Sequence, residues 1–363
     1  MRSLSAASLP LCAGLRLLGS RLQLQGGSLA QSFVSAKHSW TFRQGVVLEI
    51  WDHRGHHGVG EASPLLGHSV ESLADCVAAL ADIHTRWQGG LDDEGWPLCP
   101  WLSSLPAARF AWESALCDLL ARSRGVSVST LLGNQQPQIA RSAVVQSLDE
   151  ARQALERGVR TLKIKVGSPE KEADEELHML HALRTQLGDD FALRLDANGV
   201  WTASEARARL ASFRALRPEF VEQPTSTSAL LTLGECAVPW AADESLSDDS
   251  ALEALLAAPG CTAWVIKPAM LGLRRSRELA IRAQRHGLGV VVTHLLDGPI
   301  GLAAACELAL SLPIPPLACG LDTHPGLSAW PLLTLPHHQE SPASIVATGH
   351  SGLGFPTQGL PWI

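Results

Sequence analysis

Residues 192–199 read Ala192-Leu193-Arg194-Leu195-Asp196-Ala197-Asn198-Gly199, an apolar run that stops on a carboxylate and passes at once into turn residues. The pattern returns at Glu219-Phe220-Val221-Glu222 before Gln223-Pro224, and at Pro239-Trp240-Ala241-Ala242-Asp243 before Glu244-Ser245. Two apolar runs precede these three, Ala143-Val144-Val145 and Thr161-Leu162-Lys163-Ile164-Lys165-Val166. Three follow: Ala263-Trp264-Val265-Ile266-Lys267, Gly289-Val290-Val291-Val292-Thr293 and Leu317-Ala318-Cys319-Gly320. Helical Ala/Leu/Arg/Glu-rich stretches mostly separate the runs by roughly 20 to 35 residues, the repeat that strand–helix units of a barrel require. No glycine-rich phosphate turn follows the first run, which argues against an open doubly wound sheet. The expected fold class is α/β, with a TIM-type barrel over residues 136–330.

Residues 1–130 have a different character. Val46-Val47-Leu48-Glu49-Ile50-Trp51 predicts a strand, Arg54-Gly55-His56-His57-Gly58 a turn and Val59-Gly60-Glu61-Ala62 the antiparallel return. One helix is expected from Ser69 to about Trp87 and a second from Pro106 to Arg122, which begins with Pro and stops before Gly125. The N-terminal apolar run is interrupted by Arg16 and Arg21, so a first strand is expected there in place of a signal peptide. Residues 331–363 are Pro- and Gly-rich and are expected to return to the N-terminal unit.

Barrel strands present their C-terminal ends to one shared mouth. Asp196, Glu222 and Asp243 would then meet in a small volume, where three carboxylates repel one another unless a cation resolves the charge. All-oxygen ligands favour a hard ion, Mg2+ with Mn2+ as a substitute, over zinc. Lys163 and Lys165 lie two apart on one strand and share a face, and Lys267 ends a run four strands further on, nearly opposite. Burial and a like-charged neighbour both depress a lysine, which suits Lys165 to general-base work near neutral pH. Arg194 faces the same way as Asp196, as a substrate group or a structural barrel arginine. Asn198 and Ser245 are candidate substrate contacts or helix caps, and Thr293 and His294 border the expected mouth. His178 and His181 are expected to face solvent on a helix, and His53, His56 and His57 to occupy a turn.

A formal charge of −7 with no basic run leaves nothing to track phosphates, so nucleic acid is excluded as an expected partner. With 46% hydrophobic and 18% charged residues the chain has material for a large core, and no stretch is apolar enough for a membrane span. Cys12, Cys76, Cys99, Cys117, Cys236, Cys261, Cys306 and Cys319 show no Cys-x-x-Cys pairing. Free thiols and a cytoplasmic location are expected.

Taken together, Lys163-Ile164-Lys165, Leu195-Asp196-Ala197-Asn198-Gly199-Val200-Trp201, Val221-Glu222-Gln223-Pro224, Ala242-Asp243-Glu244-Ser245 and Val265-Ile266-Lys267-Pro268 resemble the enolase superfamily, in its muconate-lactonising branch. The resemblance covers nearly the whole chain. It implies a (β/α)7β barrel closed by an α+β capping domain, Mg2+ on Asp196, Glu222 and Asp243, Lys165 as acid/base and Lys163 as the neighbour that orients it. Within the branch, Gly60-Glu61-Ala62-Ser63-Pro64-Leu65-Leu66-Gly67-His68-Ser69, Pro299-Ile300-Gly301-Leu302 and Gly320-Leu321-Asp322-Thr323 look most like the o-succinylbenzoate synthase family; His68 and His294 depart from it. That likeness implies a carbon–oxygen lyase acting on a small carboxylate, on the path to menaquinone or phylloquinone. Dipeptide epimerisation or N-succinylamino acid racemisation by the same lysines stays open, as do muconate cycloisomerisation and a non-catalytic binding barrel. Oligomeric state is left open too.

Overall fold

A computed structural model describes residues 12, 14–34, 39–133, 136–168, 173–330, 335–338 and 341–355. Part of the expected C-terminal segment and the extreme N-terminus therefore lie outside the described residues.

Strands β1 (Leu17–Val34), β2 (Ser39–Asp52) and β3 (His57–Ala62) form an antiparallel sheet in that order. The β2 run Val46-Val47-Leu48-Glu49-Ile50 is buried throughout, as the middle strand should be, whereas β1 on the edge alternates between half-buried and exposed. His57 begins β3 and is no part of the turn; its Nδ1 lies 2.9 Å from Glu49.

The helix expected over 69–87 is two helices, α1 (Leu73–Leu80) and α2 (Ile83–Arg86). Ser72 and Asp75 form a reciprocal capping box that starts α1, while the Ser69 hydroxyl is engaged upstream, accepting from Leu65 N–H at 2.9 Å. Ala81 leaves the helix at ψ 132° and Asp82 takes a left-handed φ of 50°, which turns the chain. Helix α3 (Pro106–Ser123) is buried on nearly every side, because it lies on β3 with two barrel helices, α10 (Pro268–Leu271) and α11 (Leu273–Arg285), against its other flank. Gly60 makes that approach possible: a Cβ there would sit 1.9 Å from the Ala111 carbonyl oxygen. The short α4 (Val128–Leu131) follows.

After β4 (Gln138–Ala140), the parallel strands are β5 (Ala143–Val144), β6 (Thr161–Lys165), β7 (Ala192–Asp196), β8 (Phe220–Glu222), β9 (Trp240–Ala242), β10 (Cys261–Ile266) and β11 (Gly289–Val292), adjacent in sequence order. The helices between and after them are α5 (Leu148–Glu156), α6 (Ala173–Leu187), α7 (Ala203–Ser212), α8 (Thr227–Leu230), α9 (Leu252–Ala257), α10 (Pro268–Leu271), α11 (Leu273–Arg285) and α12 (Pro299–Leu310). His178 and His181 on α6 are exposed.

The eighth expected run is not a regular strand, yet it closes the barrel. Leu317 and Gly320 donate to the carbonyls of Val290 and Val292, Cys319 donates to Ala140, and Ser142 donates back to Cys319. A segment hydrogen-bonded to both sheet edges through single bridges lacks the consecutive ladder of a strand.

Two buried carboxylates tie the N-terminal sheet to its surroundings. Asp118 on α3 accepts from Val59 N–H at 2.9 Å and from Leu353 N–H at 2.7 Å. Glu61 on β3 accepts from Gly298, Ile300 and Gly301, the N–H groups at the start of α12 that have no partner within the helix. In the C-terminal segment, β12 (Ser344–Val346) pairs antiparallel with β4.

Candidate active site

Each candidate side chain is placed by the strand that ends on it. Register pairs Lys163 with Arg194, Lys165 with Asp196 and Asp196 with Glu222, so these groups share one end of neighbouring strands. Asp243 follows β9 directly. Asp196, Glu222 and Asp243 are each 4% exposed or less.

The lysines meet those carboxylates unequally. Lys163 Nζ lies 2.9 Å from Asp196 Oδ2 and 2.7 Å from Glu222 Oε1. Lys267 Nζ donates to Asp243 Oδ2. Burial opposes charge on both lysines, but the adjoining carboxylates outweigh it and raise both. Among the described residues Lys165 has no carboxylate ion pair; its Nζ stands 4.8 Å over the Phe33 ring at the end of β1. Burial, Lys163 and Lys267 hold it below the ordinary lysine value against the pull of Asp196. Asp196 is held low despite burial because Lys163 and Lys165 stand beside it.

Backbone turns fix the strand ends. Asp196 Oδ1 accepts from Asn198 N–H at 3.0 Å, with Asn198 itself left-handed at φ 47°. Gln223, left-handed at φ 38°, accepts on Oε1 from Asp243 N–H at 3.0 Å. Its Nε2 donates to Thr225 O and Ser245 Oγ. One amide thus locks the ends of β8 and β9 together. Ser245 serves that lock behind the carboxylates and does not line the cavity.

A cavity of about 840 Å3 opens over this end, lined among others by Lys163, Lys165, Asp196, Asn198, Lys267, Thr293 and His294. Glu222 and Asp243 stand behind the lysines that pair with them. Arg194 is absent from the lining. Its guanidinium reaches Glu219 Oε2 at 2.6 Å and the Ala318 carbonyl at 2.6 Å, tying β7 to the closing segment as a structural barrel arginine. Thr293 Oγ1 likewise donates to Gly320 O.

Among the described residues no three His, Cys, Asp or Glu side chains converge closely enough, as they stand, to enclose an ion. The lysine ammoniums occupy the carboxylates instead. In donor chemistry and strand position Asp196, Glu222 and Asp243 nevertheless fit a hard divalent cation, being buried oxygen donors on consecutive strand ends.

Several lining residues carried no decisive sequence signal. Arg141 is buried and paired to Asp322 at 3.0 Å, and Phe33, Trp40 and His68 come from the N-terminal sheet and its following loop. Their positions depend on chain segments far apart in sequence. Burial also holds His294 down to about 3 and His338 to about 4, with His324 well below its ordinary value, so this wall is of neutral imidazoles.

A family model described as Enolase C-terminal domain-like matches residues 146–356. The chain belongs to the enolase superfamily. Among curated members, the o-succinylbenzoate synthase of Edwardsiella ictaluri is 30% identical over 94% of this chain and 97% of its own length. That of Thermosynechococcus vestitus is 32% identical over 77% and 85%. The L-Lys-D/L-Arg epimerase of Methylococcus capsulatus is 31% identical over 74% and 79%. Among solved superfamily structures, the Methylococcus capsulatus dipeptide epimerase complexed with Mg and L-Arg-D-Lys superposes with a TM-score of 0.77 at 26% identity, over 93% of this chain and 99% of that one. The muconate lactonizing enzyme of Pseudomonas putida gives 0.79 at 23% identity, over 93% and 96%.

Proposed function

We propose that the chain is an o-succinylbenzoate synthase, converting 2-succinyl-6-hydroxy-2,4-cyclohexadiene-1-carboxylate to 2-succinylbenzoate by syn-dehydration, a step toward menaquinone or phylloquinone. The supporting observation is the asymmetry of the lysines. Lys165 faces the cavity with no carboxylate partner among the described residues, whereas Lys163 and Lys267 are each held as ammonium by one or two. One free base and fixed cations suit a one-base elimination.

Asp196, Glu222 and Asp243 would hold Mg2+, with Mn2+ as a substitute, which when bound supplies Lewis-acid stabilisation of the charge developing on the substrate's carboxylate. Lys165 as the free amine takes the proton from the carbon next to that carboxylate. The ammonium it becomes gives a proton to the departing hydroxyl on the same face, and aromatisation makes this step downhill. Lys267, across the cavity, adds positive charge to the enediolate without accepting a proton, because Asp243 keeps it protonated. Lys163 holds Asp196 and Glu222 in place and keeps Lys165 low. The N-terminal sheet acts as a cap: it brings Phe33 to the mouth and shields the site from water. Free cysteines throughout suit a reducing, cytoplasmic setting.

The test is loss of diene absorbance on turnover with Mg2+, set against an EDTA control and Lys165→Ala. Metal-dependent turnover that the substitution abolishes supports the dehydratase. Well-folded, metal-loaded protein that leaves the diene intact sinks it.

A second reading has one observation in its favour: both Lys165 and Lys267 line the cavity, from strands four apart. Two bases on opposite faces would epimerise a dipeptide or racemise an N-succinylamino acid. Deuterium entering the α-position of such compounds in heavy water would carry that reading.

A further inference from the structure

The wall beside Lys267 is formed by the segment after β11, and the orientation of its histidine follows from its neighbours. His294 Nδ1 accepts from the backbone N–H of Leu296 at 3.0 Å. A nitrogen that accepts carries a lone pair, so in the neutral ring the proton sits on Nε2. Leu296 has a left-handed φ of 53°, the turn that brings its N–H back onto the ring. The His324 ring stacks on His294 with centroids 4.3 Å apart. His324 is itself fixed, since its Nε2 donates to the Asp297 carbonyl at 2.8 Å. His294 lines the cavity, and among the described residues nothing accepts from its Nε2.

We propose that His294 is a specificity-determining residue that presents a neutral Nε2–H to the substrate, selecting an acceptor oxygen and rejecting an ammonium at the end of the cavity beside Lys267. A ligand ammonium there would meet an N–H donor and the field of Lys267 and Lys163, with the ring's one lone pair already taken by Leu296 N–H. A carbonyl or carboxylate oxygen meets a donor already aimed, which costs no reorganisation. Burial pushes His294 down to about 3, and the cations Lys267, Arg43 and Lys163 push the same way, so the ring stays neutral through the working range. The inference rests on reading this cavity as the substrate site.

The experiment compares Mg2+-loaded wild type, His294→Gln and His294→Leu. Calorimetry measures 2-succinylbenzoate, N-succinyl-L-phenylalanine and the free-ammonium dipeptide L-Ala-L-Glu, and long-range proton–nitrogen NMR reads the tautomer. Wild type should show the Nε2–H tautomer and bind the succinylated acids in preference to the dipeptide. Loss of one hydrogen bond in His294→Leu should weaken the succinylated acid by about tenfold. His294→Gln, which keeps an N–H donor, should recover affinity to within about threefold. An Nδ1–H tautomer, equal affinity in all three proteins, or a preference for the dipeptide overturns the proposal. Failure of 2-succinylbenzoate alone to bind counts against the dehydratase reading, and N-succinyl-L-phenylalanine against the dipeptide then decides the role of His294.

Discussion

Lys165, Gln223 and Arg194 illustrate how differently three polar residues near one barrel end are employed. Lys165 has the cavity before it and an aromatic ring for company, so its chemistry is not shared with an ion pair. Lys165→Ala should lower kcat by on the order of 10²–10⁴-fold, the usual contribution of a positioned general base, while the far-ultraviolet dichroism stays that of wild type. Gln223 is a scaffold residue whose amide serves both the β8 and β9 ends. Gln223→Leu leaves Asp243 N–H and Ser245 without their buried acceptor. We expect a loss of about 1–3 kcal/mol in urea unfolding, together with weaker Mg2+ binding by calorimetry, because Asp243 is no longer held. Unchanged Mg2+ affinity would refute the positioning part of this argument. Arg194 shares a face with Asp196 but lies one pleat deeper, where Glu219 neutralises it.

At the scale of elements, two segments far apart in sequence prove to be one device. The Gly60–Ser69 stretch and the Pro299–Leu302 stretch meet because Glu61 caps the open N–H groups of α12. Gly298 has to be glycine, since a Cβ would lie 2.5 Å from Glu61 Oε1. Beside this cap Asp297 is fully enclosed and close to Glu61, while Arg43 directs its N–H groups to backbone carbonyls, among them Leu295 and Leu296. Burial first, and Glu61 second, push Asp297 up to about 7. A carboxyl raised on folding binds its proton more tightly in the native state. Its contribution is therefore fully present below the unfolded value and lost as pH rises through about 7. Thermal melts of wild type should show this fall in stability between the ordinary aspartate range and neutrality. Asp297→Asn should flatten it and stabilise the protein at pH 8 by on the order of 1–3 kcal/mol. A variant whose melting temperature tracks wild type at every pH would remove Asp297 from the account.

For the whole molecule the relevant quantity is charge balance at the barrel end. Lys163 and Lys267, joined by Lys165 when it is protonated, stand against Asp196, Glu222 and Asp243, so the set is close to balanced without a metal. The protein should therefore fold without metal, and EDTA should leave a cooperative melt. Mg2+ binding only the native state raises stability by mass action, about 2.7 kcal/mol at a hundredfold excess over Kd. Differential scanning calorimetry with and without Mg2+ checks this, and Asp196→Asn should abolish most of the increment. A Mg2+ effect that persists in that variant would place the ion elsewhere. Adding a divalent cation to a balanced set leaves the cavity positive, which favours a dianionic substrate over a zwitterionic one.

Much of this molecule is written locally. Apolar runs ending on Asp196, Glu222 and Asp243 sufficed for the barrel and for the gathering of their carboxylates at one end, because strand parity and strand order depend only on near neighbours in the chain. The lysine pair on β6 and the opposing Lys267 follow from the same two rules. Other features are invisible at that range. The break at Ala81-Asp82 comes from a left-handed residue that helical periodicity does not register. The eighth run meets the two sheet edges through isolated bridges in place of a ladder, a difference its apolar pattern does not register. Parity assigned Arg194 to the right face, but depth along a strand is set by how the barrel closes, and that put it below the cavity. The pairing of Glu61 with α12, the ring of Phe33 over Lys165 and the tautomer of His294 all depend on contacts between segments that only the folded register brings together.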